Sequence, residues 1–304
     1  MNAKIRLTIS AACLFALGAG LSLGRAALPA GINIEKVGFK TPESVMYDAN
    51  ADVYLVSNIN VDDIPTKKDN NGFISRLNPD GMVQNLKWIA GGANGVTLHA
   101  PKGMAIVDGT LYVTDLDTVR KFDLTSGAAL GEIPIEGTTF LNDLAADADG
   151  AVYVSDTGLT ADDKGIGPNG TDAVYRISSG EEISVIAKGK ELTLPNGLEV
   201  NPDGKLQVVA FGSNEIYTLD ADGKRGDVLK MPAASLDGVI TLKDGRRVIS
   251  SWETSSLYTL AADGKVEVLA TGLPSPADLG YDSKRERVLV PIFQEDRVVI
   301  QPLQ

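Results

Sequence analysis

A six-bladed β-propeller is the fold this sequence predicts. Three observations point to it: a four-residue signature that returns six times, Asp-Gly turns that keep their place between signatures, and short apolar-alternating runs around those turns. The signature reads Pro42-Glu43-Ser44-Val45, Pro101-Lys102-Gly103-Met104, Leu141-Asn142-Asp143-Leu144, Pro195-Asn196-Gly197-Leu198, Leu236-Asp237-Gly238-Val239 and Pro276-Ala277-Asp278-Leu279. Its second residue recurs at spacings of 59, 40, 54, 41 and 40, close to the roughly 40–50 residues of a four-stranded blade.

Taken in order, residues 1–26 carry Lys4 and Arg6, an apolar run from Leu7 to Leu23, and the small-residue end Gly24-Arg25-Ala26. This is the pattern of a secretory signal peptide, so residues 27–304 are expected to form the single propeller domain, in the periplasm or secreted. The competing reading, a lone membrane anchor, suits the run less well because it is short and interrupted by Gly18 and Gly20. The single cysteine, Cys13, lies inside that run, so cleavage near Ala26 would leave no thiol and no disulfide.

Each later unit supplies strand-like runs. In the first they are Val45 to Tyr47, Val53 to Ser57, Phe73 to Leu77 and Val83 to Trp88; in the third, Leu144 to Ala146, Val152 to Ser155, Val174 to Ile177 and Ile183 to Ala187. Asp108-Gly109, Asp149-Gly150, Asp203-Gly204 and Asp244-Gly245 separate first from second runs, while Asp80-Gly81, Asp222-Gly223 and Asp263-Gly264 separate third from fourth. The sixth unit offers only three runs, which would leave an open sheet edge. The run Ile34 to Phe39, ahead of the first unit, is expected to close the ring as the outer strand of the last blade. A β-sandwich is the structural alternative, but it does not account for the six-fold register.

The formal net charge is -12. Removing Lys4, Arg6 and Arg25 with the leader leaves 25 basic against 40 acidic residues, about -15. With no basic run longer than a pair, this excludes nucleic acid as a partner. The expected partner is a small molecule, with no membrane association after leader cleavage and a monomeric state.

If the signature opens the innermost strand, its residues meet at one end of the channel, under the long connections from Asn60 to Gly72 and from Gly158 to Asp172. Glu43, Asn142, Asn196 and Asp237 would converge there, either as four hard oxygen ligands for a divalent cation or as hydrogen-bonding groups around a wet channel. Lys102 occupies the same column, placed to meet a substrate or to pair with Glu43 or Asp237. Asp143 is expected to turn away from the axis by strand alternation. Asp115 and Asp156 end second strands on the same face, as ligand contacts or as turn caps. His99 is the only histidine, and no serine is placed beside it for a triad.

These residues resemble the senescence-marker protein, gluconolactonase and luciferin-regenerating-enzyme family of six-bladed propellers, over about Thr41 to Val299. The resemblance implies one divalent metal held by Glu43, by Asn142 before Asp143, by Asn196 in Asn196-Gly197-Leu198 and by Asp237 before Gly238. Calcium is the first expectation, manganese or zinc the others. Members acting on sugar lactones place an Arg two residues before the first metal Asn; here that position is Phe140, so a gluconolactone specificity does not carry over.

The expected activity is therefore that of an exported metal-dependent hydrolase of lactones or related esters, with Asp237 and Lys102 as catalytic residues. Asp237 would act as base or as nucleophile. Lys102, Phe140, Asp156 and Trp252 are assigned to substrate binding. The other class that fits is a non-catalytic propeller that binds a ligand or protein and keeps a structural ion in its channel.

Overall fold

The computed structural model describes residues 31–61, 66–162, 165–201 and 203–303; the leader expected at 1–26 lies outside them. Six four-stranded antiparallel sheets form the blades, each running outward from an inner strand. Blade 1 consists of Pro42–Asp48, Val53–Asn58, Phe73–Leu77 and Val83–Ala90, and blade 2 of Pro101–Val107, Thr110–Asp115, Thr118–Asp123 and Ala129–Pro134. Blade 3 takes Leu141–Ala146, Val152–Asp156, Ala173–Ile177 and Ile183–Lys188; blade 4 takes Pro195–Val200, Leu206–Ala210, Glu215–Leu219 and Arg225–Lys230. Blade 5 comprises Leu236–Thr241, Arg247–Ser251, Ser256–Leu260 and Val266–Thr271, and blade 6 comprises Gly280–Asp282, Arg287–Ile292, Arg297–Pro302 and, outermost, Ile32–Ile34.

The strands expected in the first and third units are all present, Phe73–Leu77 with the bounds of its apolar run and the others one to four residues longer. The turns also stand where the Asp-Gly pairs lie, with Gly150 at φ 79° and Gly223 at φ 75° in the left-handed region that only glycine enters freely. The second long connection, expected as an overhanging loop, carries its own hairpin of Leu159–Asp162 against Gly165–Pro168.

The core is a ring of six apolar layers, one between each pair of neighbouring blades. Val53, Leu55 and Ile74 of blade 1 pack on Met104, Leu111 and Phe122 of blade 2. The same arrangement repeats around the ring and ends where Leu289, Val298 and Ile300 meet Val45, Tyr54 and Val56. Flat blades with two apolar faces stack only this way, which is why the strand interiors read as apolar runs.

Closure comes from the N-terminal segment, but with a shorter strand than expected. Ile32, Asn33 and Ile34 pair with Ile300, Val299 and Val298. Beyond Ile34 the chain leaves the sheet, because Lys36 at φ 59° and Gly38 at φ 106° cannot continue an extended run. Phe39, 1% exposed, then plugs the layer between blades 6 and 1. The same seam carries a polar network: Arg285 grips Asp52 through two nitrogens at 2.8 and 2.7 Å and Asp282 at 3.0 Å, while Tyr54 donates to Asp282 at 2.5 Å. Arg285 and Lys284 hold the Asp52 carboxyl well below the usual carboxylate range.

A chain beginning at Lys40 loses the edge pairing and the buried Ile34 and Phe39 side chains. Its stability in chemical denaturation should fall by about 3–5 kcal/mol; a midpoint unchanged from the mature protein would contradict closure at this seam.

Candidate active site

The signature is where each blade breaks its own ladder. In blades 1 to 5 the first and fourth signature residues pair with second-strand residues only two apart: Pro42 with Asn58 but Val45 with Val56, and likewise Leu141 with Asp156 but Leu144 with Val154. One residue is thus extra on the inner strand, a β-bulge that turns the second and third side chains out of the normal alternation. The bulge frees a backbone N–H, and a second-strand hydroxyl takes it: Ser44 N donates to Ser57 Oγ at 2.9 Å, Asp143 N to Ser155 Oγ at 2.9 Å and Gly238 N to Ser250 Oγ at 2.8 Å. Hydroxyls of this column donate onward to the next blade, from Thr114 to Asn142 O, from Ser155 to Asn196 O at 2.8 Å and from Ser250 to Ala277 O at 3.0 Å. Nothing in the signature itself advertises this latch; the second-strand column Ser57, Thr114, Ser155, Ser250 was the available signal.

Glu43, Lys102, Asn142, Asn196 and Asp237, the second residues of blades 1 to 5, are all buried, 1–5% exposed. Glu43 Oε2, Asn142 Oδ1, Asn196 Oδ1 and Asp237 Oδ1 are each shut from solvent without a hydrogen-bond donor. Buried oxygens are rarely left so. Among the described residues no three His, Cys, Asp or Glu gather closely enough to bind a metal, so the donor set here is mixed, two carboxylates and two amides. Hard cations accept such a mixture.

The electrostatics are those of a site short of positive charge. Glu43 is pushed well above the usual carboxylate range, first by burial and then by Asp237 and Asp278. Asp237 is likewise raised by burial and by Asp278, against the opposing pull of the Trp252 indole and the Asn196 amide. Directly beneath, Asp278 is raised to about 7 by burial and accepts from Ser44 Oγ at 2.5 Å. Asp143 takes the inter-blade position that strand alternation implied for it. Its Oδ2 accepts from Leu198 N of blade 4 at 2.7 Å, which ties two blades together, and its charge acts on Glu43.

Lys102 is the cation of the column, 1% exposed, with its ammonium 4.2 Å from the Phe140 ring centre and donating to Ala100 O at 3.4 Å. Burial lowers its affinity for a proton, while the charges of Glu43, Asp115 and Asp156 raise it. The pairing expected with Glu43 is thus an attraction of charge; the ammonium's contacts are the Phe140 ring and a carbonyl. Asp156 accepts from Phe140 N at 3.0 Å and Gly158 N at 3.1 Å, so it positions Phe140, and its buried Oδ2 has no donor. Asp115 accepts from His99 N and Ala100 N and pairs with Arg120 Nε at 2.9 Å. His99 Nδ1 accepts from Asn70 N at 2.9 Å, which makes the histidine a loop brace.

Trp252 follows the second strand of blade 5 and lies between Phe211, met edge-on, and Phe293, met at a tilt. Strain marks the same end of the channel: Thr41, Leu194, Ser235 and Ser275, each just before a signature, all have φ between 49° and 58°. A funnel of about 300 Å³ opens at the opposite end, past Met46, Val200 and Tyr281 to Asp143 and Asp278, away from the four unpaired oxygens.

Carboxyls whose folded pKa exceeds the unfolded value favour folding while protonated. That contribution is complete below about pH 4 and is lost as pH rises through the folded value, which for Asp278 is about 7. The protein in excess chelator should therefore melt lower at pH 8 than at about pH 5, and Asp278→Asn should flatten the slope. Calorimetry showing a constant or rising melting temperature would contradict this placement of the four acids.

The curated proteins contain no match to the sequence. Among solved structures, a gluconolactonase from Xanthomonas campestris superposes with a TM-score of 0.67 at 20% identity, covering 91% of each chain. A structure described as a putative gluconolactonase gives 0.66 at 18%, covering 90% of this chain and 94% of its own. A catalytically inactive virginiamycin B lyase from Staphylococcus aureus, with quinupristin, gives 0.61 at 14%, covering 90% and 98%. At these identities the likeness establishes the propeller fold. The SMP-30/Gluconolactonase/LRE-like region matches residues 41–277, five complete blades with every second-column residue from Glu43 to Ala277, and the chain belongs to that family.

Proposed function

We propose that this propeller is an exported hydrolase of lactones or related esters that works with one divalent cation, calcium foremost and manganese or zinc as alternatives. The observation that carries the reading is the presence of four donorless buried oxygens, on Glu43, Asn142, Asn196 and Asp237, at equivalent positions of four inner strands next to the strained pre-signature residues. Family membership supports a lactonase-type activity. The export expectation rests on the sequence of residues 1–26 alone.

Glu43, Asn142, Asn196 and Asp237 would hold the cation, which when bound supplies Lewis-acid polarisation of an ester carbonyl. Asp237 then either removes a proton from the attacking water or attacks the acyl carbon itself, its charged form favoured by the nearby Trp252 indole and Asn196 amide. By either route one water is consumed, the acyl C–O bond breaks, and its proton ends on the alcohol oxygen of the hydroxy-acid product. Lys102, held over Phe140, offers an N–H to the oxygen that gains charge as that bond breaks. A single turnover in ¹⁸O-labelled water identifies direct attack in which water then opens the mixed anhydride at Asp237, since that route leaves unlabelled oxygen in the first product and puts the label in the Asp237 carboxylate; trapping of an acyl-enzyme identifies direct attack whichever carbon the water meets.

The purified protein should contain about one equivalent of divalent metal, and a chelator should lower its melting temperature reversibly, because an ion bound only by the folded state stabilises it. Asp237→Asn should reduce kcat on a responsive lactone by at least about 100-fold with an unchanged circular dichroism spectrum. Metal below about a tenth of an equivalent, no thermal response to calcium, manganese or zinc, and no turnover across a lactone, ester and phosphotriester panel would replace this reading with a binding propeller whose axis is neutralised by Lys102 and protons.

A further inference from the structure

We infer that the mouth of this channel selects lactones or esters bearing an aromatic or similarly apolar group, through Phe211, Trp252 and Phe293, with Phe140 across the axis. This rests on the hydrolase reading above and narrows its substrate.

The fold builds the mouth from a ring of equivalent positions. In five blades the residue after the second strand donates its N–H to the carbonyl just before the signature: Ile59 to Thr41 O at 3.1 Å, Thr157 to Phe140 O at 3.1 Å, Phe211 to Leu194 O at 2.8 Å, Trp252 to Ser235 O at 3.0 Å and Phe293 to Ser275 O at 3.1 Å. In blade 2 the carbonyl of the equivalent Leu116 accepts instead, from Leu141 N at 2.7 Å. The six residues Ile59, Leu116, Thr157, Phe211, Trp252 and Phe293 therefore stand at one level, at the signature end of the axis. Five are apolar. The sixth, Thr157, spends its hydroxyl on the fold, accepting from Asn142 Nδ2 and donating to Pro195 O, each at 2.9 Å.

The apolar members form a continuous wall. The rings of Phe211 and Trp252 meet edge-on at 5.5 Å, Trp252 and Phe293 meet at 5.0 Å, and Phe293 packs on the buried cluster of Ile59, Ala100 and Leu116. Core phenylalanines such as Phe39, Phe73 and Phe122 are 1% exposed, whereas Phe211, Trp252 and Phe293 stay half-buried and keep ring surface open. Such surface, beside donorless oxygens and the Lys102 ammonium, recognises a molecule with an apolar body and a single carbonyl group. Rings bind rings by edge and offset contacts. A polyol lactone placed against the same wall would leave its hydroxyls facing carbon, and each buried hydroxyl without a partner costs affinity.

The test compares glucono-δ-lactone with a phenyl-substituted δ-lactone, with calcium present, on the full-length mature protein. The phenyl lactone should give a kcat/KM at least about tenfold higher. Phe211→Ala and Phe293→Ala should each raise its KM by about tenfold with kcat within about threefold, and raise the glucono-δ-lactone KM by a smaller factor. A preference for glucono-δ-lactone, or equal losses on both substrates, overturns the inference while leaving a lactonase. If neither lactone is turned over, the hydrolase reading fails by itself, and the mouth is judged by Trp252 fluorescence in a Trp88→Phe background. Saturable quenching by the phenyl lactone, weakened about tenfold by Phe211→Ala, upholds the apolar site, and its absence overturns it.

Discussion

Crowding of six inner strands around one axis is the constraint on which the rest of this structure depends. Neighbouring signatures approach so closely that a Cβ on Gly103 would lie 2.5 Å from Asp143 Cα, one on Gly197 2.3 Å from Asp237 O, and one on Gly238 2.4 Å from Leu279 N. The third signature residue is therefore glycine in three blades. In the other three it is Ser44, Asp143 or Asp278, whose short side chains bond within the ring instead of colliding with it. The bulge at each signature accommodates this approach and leaves the second residue as the one that reaches the axis. A functional column thus arises from a packing requirement.

The same crowding sets the electrostatics. Glu43, Asp143, Asp237 and Asp278 are buried together, and each is pushed toward its neutral form by burial and, for three of them, by the others' charge. The Lys102 charge opposes theirs at Glu43. Anions this close and this dry persist only when neutralised. Protons and the Lys102 charge are the neutralising species within the chain; the proposed cation would compete with them for the same oxygens. On the proposed reading, proton linkage and cation binding are one property measured in two ways.

The fold was legible in the sequence because a blade is a local unit. Four apolar runs, two tight turns and a signature recur at nearly constant spacing, and a slip in one unit is corrected by the next. The N-terminal strand was legible in its role but not its bounds, since Ile34 to Phe39 reads as extended until Lys36 and Gly38 take positive φ. At the site, the column of second residues was readable from the repeat alone. The inter-blade role of Asp143 was readable too, but not its partner Leu198 N or its charge on Glu43, because those depend on how the bulge aims the side chain. The contacts of Lys102 were also hidden: its ammonium rests on Phe140, a residue outside the signature whose backbone is held by Asp156 from a different strand. Such relations depend on three chain segments at once.

The hydroxyl column and the ring at the mouth show how fold and specificity are kept apart in this architecture. Ser57, Thr114, Ser155 and Ser250 lie two residues before Ile59, Leu116, Thr157 and Trp252. The hydroxyls are fully buried and bonded to the bulge or to the next blade, so their loss strands a buried donor or acceptor and weakens the ring. The mouth residues are held by backbone bonds that any side chain except proline can make. Their side chains are consequently free to differ from blade to blade without cost to closure, as the run from isoleucine through threonine to tryptophan shows. Thr157 is the exception that fits the rule: it is the mouth residue whose hydroxyl has been drawn into the latch, bonding Asn142 below it and Pro195 of the next blade. There the wall gives up apolar surface in exchange for fixing one of the four axial oxygens.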